Sequence, residues 1–204
     1  MAGKRAHHSA GDVEQVDLEV GDYRLGAWCK GRGQPVAVCV HGAGVSSREW
    51  LPLVAELGCA RQVWTVDLPG FGASRGLSHM LGLPALTDAW VDWLAAAGLQ
   101  RVCLIGGSFG CQVAVDAAVR YPDRVSHLVL VGPTVDPAGR TFRRQAVRWF
   151  RKLEVGTQAW AEEVTRLLPR GRLAVVPGAG HMVPFRLPSQ VARFIADFLA
   201  GTAR

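Results

Sequence analysis

"LIGGSFGCQVA", residues 104–114, runs from an apolar strand-like segment into a helix-like one with almost no chain left for turning. A buried strand over 102–105 ordinarily reaches its helix through a roomier loop. Here Ser108 lies between Gly106 and Gly110, which lack the Cβ atoms that would collide when strand and helix lie this close. The turn is expected to be tight and strained, with the serine exposed at its apex. Gly106-Gly107-Ser108-Phe109-Gly110 fits G-x-S-x-G in the strand-turn-helix setting that offers a serine hydroxyl as a nucleophile. A serine that merely caps a helix needs no glycine on each side.

A hydroxyl attacks only when a base takes its proton and donors meet the negative charge that develops on the substrate oxygen. "VCVHGAG", residues 38–44, ends another apolar run, and its Ala43 amide is a candidate oxyanion donor beside that of Phe109. His41 is read as ordering this loop. "VVPGAGHMVPF", residues 175–185, places His181 on a glycine-rich loop five residues past a further apolar run, where a base is wanted. His79 and His127 fit less well: one follows the loop after Asp67, and the other begins a strand at the opposite sheet edge.

Working outward, short apolar runs alternate with helical patterns. They are "PVAVCV" (35–40), "QVWTV" (62–66), "RVCLI" (101–105), "SHLVLV" (126–131) and "RLAVV" (172–176). Continuous apolarity implies burial on both faces, hence a mostly parallel central sheet flanked by helices, an α/β fold. "VEQVDLEVGDYRLGAWCKG", residues 13–31, alternates instead and reads as an antiparallel hairpin at the sheet edge, turning at Gly21 and Asp22. Helices are expected over 50–57, 83–97, 109–121, a basic segment after Thr141, 160–168 and 189–199, with Pro122 ending the third and Ser189 capping the last. The glycine-rich "DLPGFGASRG", residues 67–76, comes directly after a strand and so falls at the carboxyl edge, where open α/β sheets take their ligands.

With 204 residues, 49% of them hydrophobic, the chain suffices for a single domain over 1–204, preceded by an unstructured leader over 1–12. The net charge of +6 is spread along the chain; its densest patch, Arg140 to Lys152, reads as a solvated amphipathic helix, and no nucleic-acid partner is expected. Five cysteines, Cys29, Cys39, Cys59, Cys103 and Cys111, show no CxxC spacing, sit mostly in apolar surroundings and read as reduced, buried thiols of a cytoplasmic protein. The leader lacks the apolar core of a signal peptide and no uninterrupted apolar stretch reaches membrane-spanning length, so neither secretion nor a membrane is expected. Neither GxGxxG nor GxxxxGK[ST] occurs, which removes the specific support for nucleotide binding.

"HGAG" (41–44), "DLPGFGAS" (67–74), "GGSFG" (106–110) and "PGAGHMVPFRLPSQVARFIADFL" (177–199), in this order, resemble the α/β-hydrolase fold family in its esterase, haloperoxidase and carbon-carbon bond hydrolase-like branch. The resemblance covers residues 35–135 and 160–200. It implies Ser108 as nucleophile, His181 as base, the Ala43 and Phe109 amides as oxyanion hole, and no cofactor or metal. It also implies an acid between serine and histidine that orients the imidazole.

Six carboxylates lie in that interval. Asp116 and Asp123 are expected to point away, and Glu162 and Glu163 to sit on an exposed helix face. Asp136, shortly after "SHLVLV" in "GPTVDPAG", emerges on the serine's edge. Glu154 is the alternative, because the stretch after it resembles the segment found after the family's usual acid-bearing strand. That strand itself is missing: only 40 residues separate Val131 from Arg172, so residues 137–160 read as the remnant of a reduced or missing cap. If "RLAVV" moves beside "SHLVLV", His181 shifts by about 4.8 Å, one strand spacing. If it keeps its place, buried backbone groups go unpaired at about 1–3 kcal/mol each. The first arrangement costs less, and a contracted sheet with an open site is expected.

The functional expectation is a serine hydrolase acting on a small ester or related acyl substrate through Ser108, His181 and Asp136. The alternative is a catalytically impaired relative kept as a binding or interaction protein. Trp28, Trp50, Phe71, Trp149 and Phe185 are candidates for an apolar pocket or for plain core. The pattern carries no signature of oligomeric state.

Overall fold

The computed structural model describes residues 13–74, 81–133, 158–168 and 170–201. Leader residues 1–12, His79, the basic segment with Trp149, Asp136, Glu154 and the cap remnant up to residue 157 lie outside them.

β1 (Glu14–Val20) and β2 (Tyr23–Lys30) form the expected antiparallel hairpin, closing through Gly21 at φ +56°. β3 (Ala37–Val40), β4 (Val63–Val66), β5 (Val102–Gly107) and β6 (Val125–Val131) run parallel to one another, giving the order β1-β2-β4-β3-β5-β6. β2 meets β4 antiparallel, which puts the hairpin at one edge. β3, β4 and β5 are buried at every residue, whereas β1 alternates, as their uniform and alternating sequences require.

Period-two side-chain placement splits the buried residues into two cores. Val38, Val40 and Leu104 pack with α2 (Leu83–Ala96) and α3 (Gly110–Arg120) on one face. Ala37, Cys39, Cys103 and Ile105 face the other way, against α1 (Leu51–Leu57) and a C-terminal helix. A short 3₁₀ turn, Ser47–Trp50, leads into α1. Among the described residues three further helices come after β6: α4 (Gln158–Leu167), the single turn α5 (Val183–Arg186) and α6 (Pro188–Gly201). α6 starts one residue before the expected place, at Pro188, whose fixed φ suits a first helical turn. Ser189 does not cap it; its hydroxyl donates to Glu56 Oε1 of α1 at 3.0 Å.

Residues 172–176, expected as the final strand, join no strand at all. Leu173 and Val175 are 41% and 47% exposed, and among the described residues β6 is the last strand of the sheet. A strand pattern gains its stability only from neighbours, and here competing anchors lie off the sheet. The Arg172 guanidinium stands over the Phe198 ring of α6 at 6.0 Å, while Val191, Ile195 and Leu199 bury that helix in the α1-side core. Of the two arrangements open to the sequence, the structure adopts neither.

Candidate active site

β5 hands over to α3 at Ser108, the one described non-glycine residue with positive φ, at +53°. Such a conformation costs on the order of 1–3 kcal/mol and persists only where the surroundings dictate it. They do so here. The Ser108 amide donates to the Val131 carbonyl at the end of β6 at 3.0 Å, and the Ser108 carbonyl accepts from the Cys111 amide at 3.1 Å. A Cβ on Gly106 would lie 2.8 Å from the Cys111 backbone nitrogen, one on Gly107 2.6 Å from the Trp50 ring, and one on Gly110 2.7 Å from the His41 carbonyl oxygen. The glycines permit the tight passage their sequence announced. Cys111, just behind the elbow, is no rival nucleophile: burial pushes its thiol up to about 12, and its Sγ donates to the Gly106 carbonyl at 3.1 Å.

The loop after β3 lies against this turn. A Cβ on Gly42 would sit 3.1 Å from the Ser108 Cβ, so only a glycine lets the two backbones meet. His41 is fully buried and orders the loop: its Nδ1–H donates to the Gly42 carbonyl at 2.7 Å, and its Nε2 accepts from the Leu68 amide at 3.1 Å. That pairing fits the neutral ring, and burial lowers the imidazole from its ordinary range, so His41 is no catalytic base. The Ala43 and Phe109 amides donate to no described residue, which leaves both available to a ligand.

Asp67 fastens the neighbouring loop. Its Oδ1 accepts from the Ser47 amide and its Oδ2 from the Ala73 amide, both at 2.7 Å, and the fully buried carboxylate has no opening to a substrate.

His181 meets Ser108 at the same cleft, together with Glu49, Trp50, Val131 and Phe185. The cleft is shallow and opens to solvent. Partial desolvation lowers the imidazole of His181 from its ordinary value. The two side chains share no hydrogen bond. The histidine arrives here without a strand to carry it: α5 and α6, docked on the 3₁₀ turn and α1, hold the loop in place. A Cβ on Gly132, the first residue after β6, would lie 3.1 Å from His181 Nδ1.

Among the carboxylates, Asp116 pairs with Arg120 at 3.1 Å, and Glu163 pairs with Arg166 along α4, both away from the cleft. Asp136 and Glu154 fall outside the described residues. His127 packs edge-on to Phe198 at 5.7 Å. Of the aromatic candidates Trp50 and Phe185 line the cleft, whereas Trp28 lies in the core and Phe71 packs edge-on to His41. Among the described residues no cluster of three or more His, Cys, Asp or Glu is arranged to hold a metal ion.

Glu49 lies outside the sequence expectations, which seek acids only between Ser108 and His181. Its Oε1 accepts from the Gly42 amide at 2.8 Å, and burial raises its carboxyl above the usual range despite that bond. The available signal is its place in "HGAGVSSREW", on the same loop as the oxyanion candidate and next to a large aromatic residue.

Comparison with known proteins agrees with this architecture. The model of the alpha/beta hydrolase fold matches residues 35–154. A (Lyso)-N-acylphosphatidylethanolamine lipase of Homo sapiens is 33% identical over 166 residues, 79% of this chain and 45% of that protein. A 2-hydroxy-6-oxo-2,4-heptadienoate hydrolase of Pseudomonas putida is 38% identical over 109 residues, 50% of this chain and 38% of that protein. The chain thus spans less than half the length of these curated relatives. Among solved structures, the carboxylesterase CesB of Bacillus subtilis superposes with a TM-score of 0.76 at 18% identity, covering 94% of this chain and 93% of that one.

Proposed function

The chain belongs to the alpha/beta hydrolase fold family, and from that premise we propose that it is a serine hydrolase acting on a small, largely apolar acyl ester. One observation carries the reading: Ser108, held at φ +53° in a turn only glycines permit, shares a cleft with His181. Ser108 Oγ attacks the ester carbonyl while His181 takes its proton. The Ala43 and Phe109 amides receive the oxyanion. As the tetrahedral species collapses, His181 returns the proton to the departing alkoxide, leaving an acyl-serine. Water, deprotonated by the same imidazole, then attacks the acyl carbon and frees the acid.

The orienting acid is Asp136. Support comes from Gly132, where an added Cβ would stand 3.1 Å from His181 Nδ1 and 3.2 Å from its Cε1, so this edge of the ring faces the chain leaving β6, four residues before Asp136 in the sequence. The apolar wall of Trp50, Val131 and Phe185 favours an apolar acyl group. Cys39, Cys103 and Cys111 are buried as expected whereas Cys59 is exposed, and a reducing, cytoplasmic setting suits a chain with such thiols. No described helix is long and apolar enough to cross a membrane.

A fluorophosphonate probe tests the reading. Labelling of the folded protein, lost in Ser108→Ala, is the expected result. Folded but unlabelled protein would instead favour a non-catalytic binding role, the reading that the absent Ser108–His181 hydrogen bond supports. With a model ester, Asp136→Asn should slow turnover far more than Glu154→Gln; the reverse order moves the acid to Glu154.

A further inference from the structure

Glu49 stands where an acyl hydrolase has no evident need of a negative charge. It lines the cleft with Ser108 and His181. One of its oxygens is committed to the Gly42 amide at 2.8 Å, and the carbonyl of the same glycine accepts from His41 Nδ1–H at 2.7 Å. The carboxylate is thereby fixed beside the reacting serine and cannot swing out into water without releasing that amide.

No described cation neutralises it. Arg48, its chain neighbour, lies over the Trp28 ring at 5.6 Å, and the described ion pairs Arg24–Asp17, Arg120–Asp88, Arg120–Asp116 and Arg166–Glu163 all leave Glu49 out. Half-buried among Trp50, Val131 and Phe185, its field is weakly screened within the cleft. The net charge of +6 acts from a distance, where salt screens it beyond about 10 Å, and so does not cancel a carboxylate in contact with the substrate.

Resting on the serine-hydrolase reading, we propose that Glu49 is a charge filter: the site takes acyl esters whose acyl chain is uncharged or cationic and rejects those bearing a carboxylate near the ester carbonyl. The rejected ester brings two like charges into one desolvated pocket, whereas a quaternary ammonium gains from the same carboxylate. The filter shares its residue with the oxyanion loop, so selectivity and Gly42 placement are set by one side chain.

The experiment compares kcat/KM for methyl butyrate, monomethyl succinate and the methyl ester of 4-(trimethylammonio)butyrate, at pH 8 and low salt. The wild-type protein should prefer butyrate to succinate by about tenfold or more, a difference of about 1.4 kcal/mol in transition-state binding. Glu49→Gln, whose amide oxygen still accepts the Gly42 N–H, should shrink that ratio about tenfold and remove any advantage of the cationic ester. An unchanged ratio in the variant overturns the proposal. Should Glu49→Gln fail to fold, the wild-type protein decides: equal kcat/KM for the butyrate and succinate esters, or no advantage of the cationic ester over butyrate, overturns the filter. Failure of the underlying reading looks different, since the wild-type protein would then hydrolyse none of the esters and resist the fluorophosphonate.

Discussion

Ser108 and His181 open onto one cleft but are held by opposite means. The serine is locked at the junction of β5 and α3, where three glycines allow close packing and the Ser108 amide is tied to the end of β6. The histidine sits on a solvent-facing loop after a segment that belongs to no strand. What holds it is downstream, in α5 and α6 packed on α1 and the 3₁₀ turn. The contrast teaches that a strained strand-to-helix turn is a property of local close packing. The histidine loop is placed by long-range packing, here through two helices.

Replacing each half tests the contrast most strongly. His181→Ala should lower kcat/KM for methyl butyrate by about 10³-fold, roughly 4 kcal/mol, because the proton acceptor is gone. The same substitution should leave the thermal unfolding free energy within about 0.5 kcal/mol, since the ring is solvent-facing and bonds to no described residue. A large loss of stability would mean that the histidine supports the fold and the comparison is misdrawn. On the serine side the order reverses: Gly110→Ala drives a Cβ into the His41 carbonyl and should cost about 3 kcal/mol of stability in denaturant titration. Tolerance of that alanine would show the elbow to be looser than its contacts.

One side-chain truncation made twice sharpens the same contrast. Val40→Ala removes two methyl groups from a fully buried strand and should cost about 2–3 kcal/mol. Val175→Ala, at a residue 47% exposed, should change stability by less than about 0.5 kcal/mol. Equal costs would place residues 172–176 in a sheet after all.

The legible and the illegible divide along the same line. The G-x-S-x-G turn, the two-faced burial of β3, β4 and β5, and the edge hairpin are written in spacing and glycine placement, because each depends on neighbours close in sequence or on strict alternation. "RLAVV" carries the local preferences of a strand, yet strand formation needs a partner, and Arg172 over Phe198 together with the buried stripe of α6 draws the chain elsewhere. His181 is legible for its chemistry, but its support is not: two helices stand in place of the expected strand. Glu49 is only faintly legible, by its place on the loop of Ala43, because its contact arises only when the loop folds back and brings its carboxylate to the Gly42 amide.

The smallest expected effect concerns the proton on His181. Partial desolvation disfavours the imidazolium, so the folded protein's His181 releases its proton at lower pH than a free histidine does. The neutral ring is the competent base, and kcat/KM should therefore rise with pH along a limb whose midpoint falls below 6.5, the free-histidine value. A free imidazole is about a quarter neutral at pH 6, so the protein should retain more than about a quarter of its plateau rate there. His41 is lowered for the same reason, but its protonation breaks the Leu68 contact and would register as lost structure, so circular dichroism along the titration separates the two. Burial lowers His181, and removing a neighbouring carboxylate cannot raise it, so the limb should keep its midpoint below 6.5 in Glu49→Gln. A midpoint above 6.5, restored to lower pH by that substitution, would mean that Glu49 stabilises the imidazolium directly, and the loosely held half of the site would then borrow its acid from the locked half.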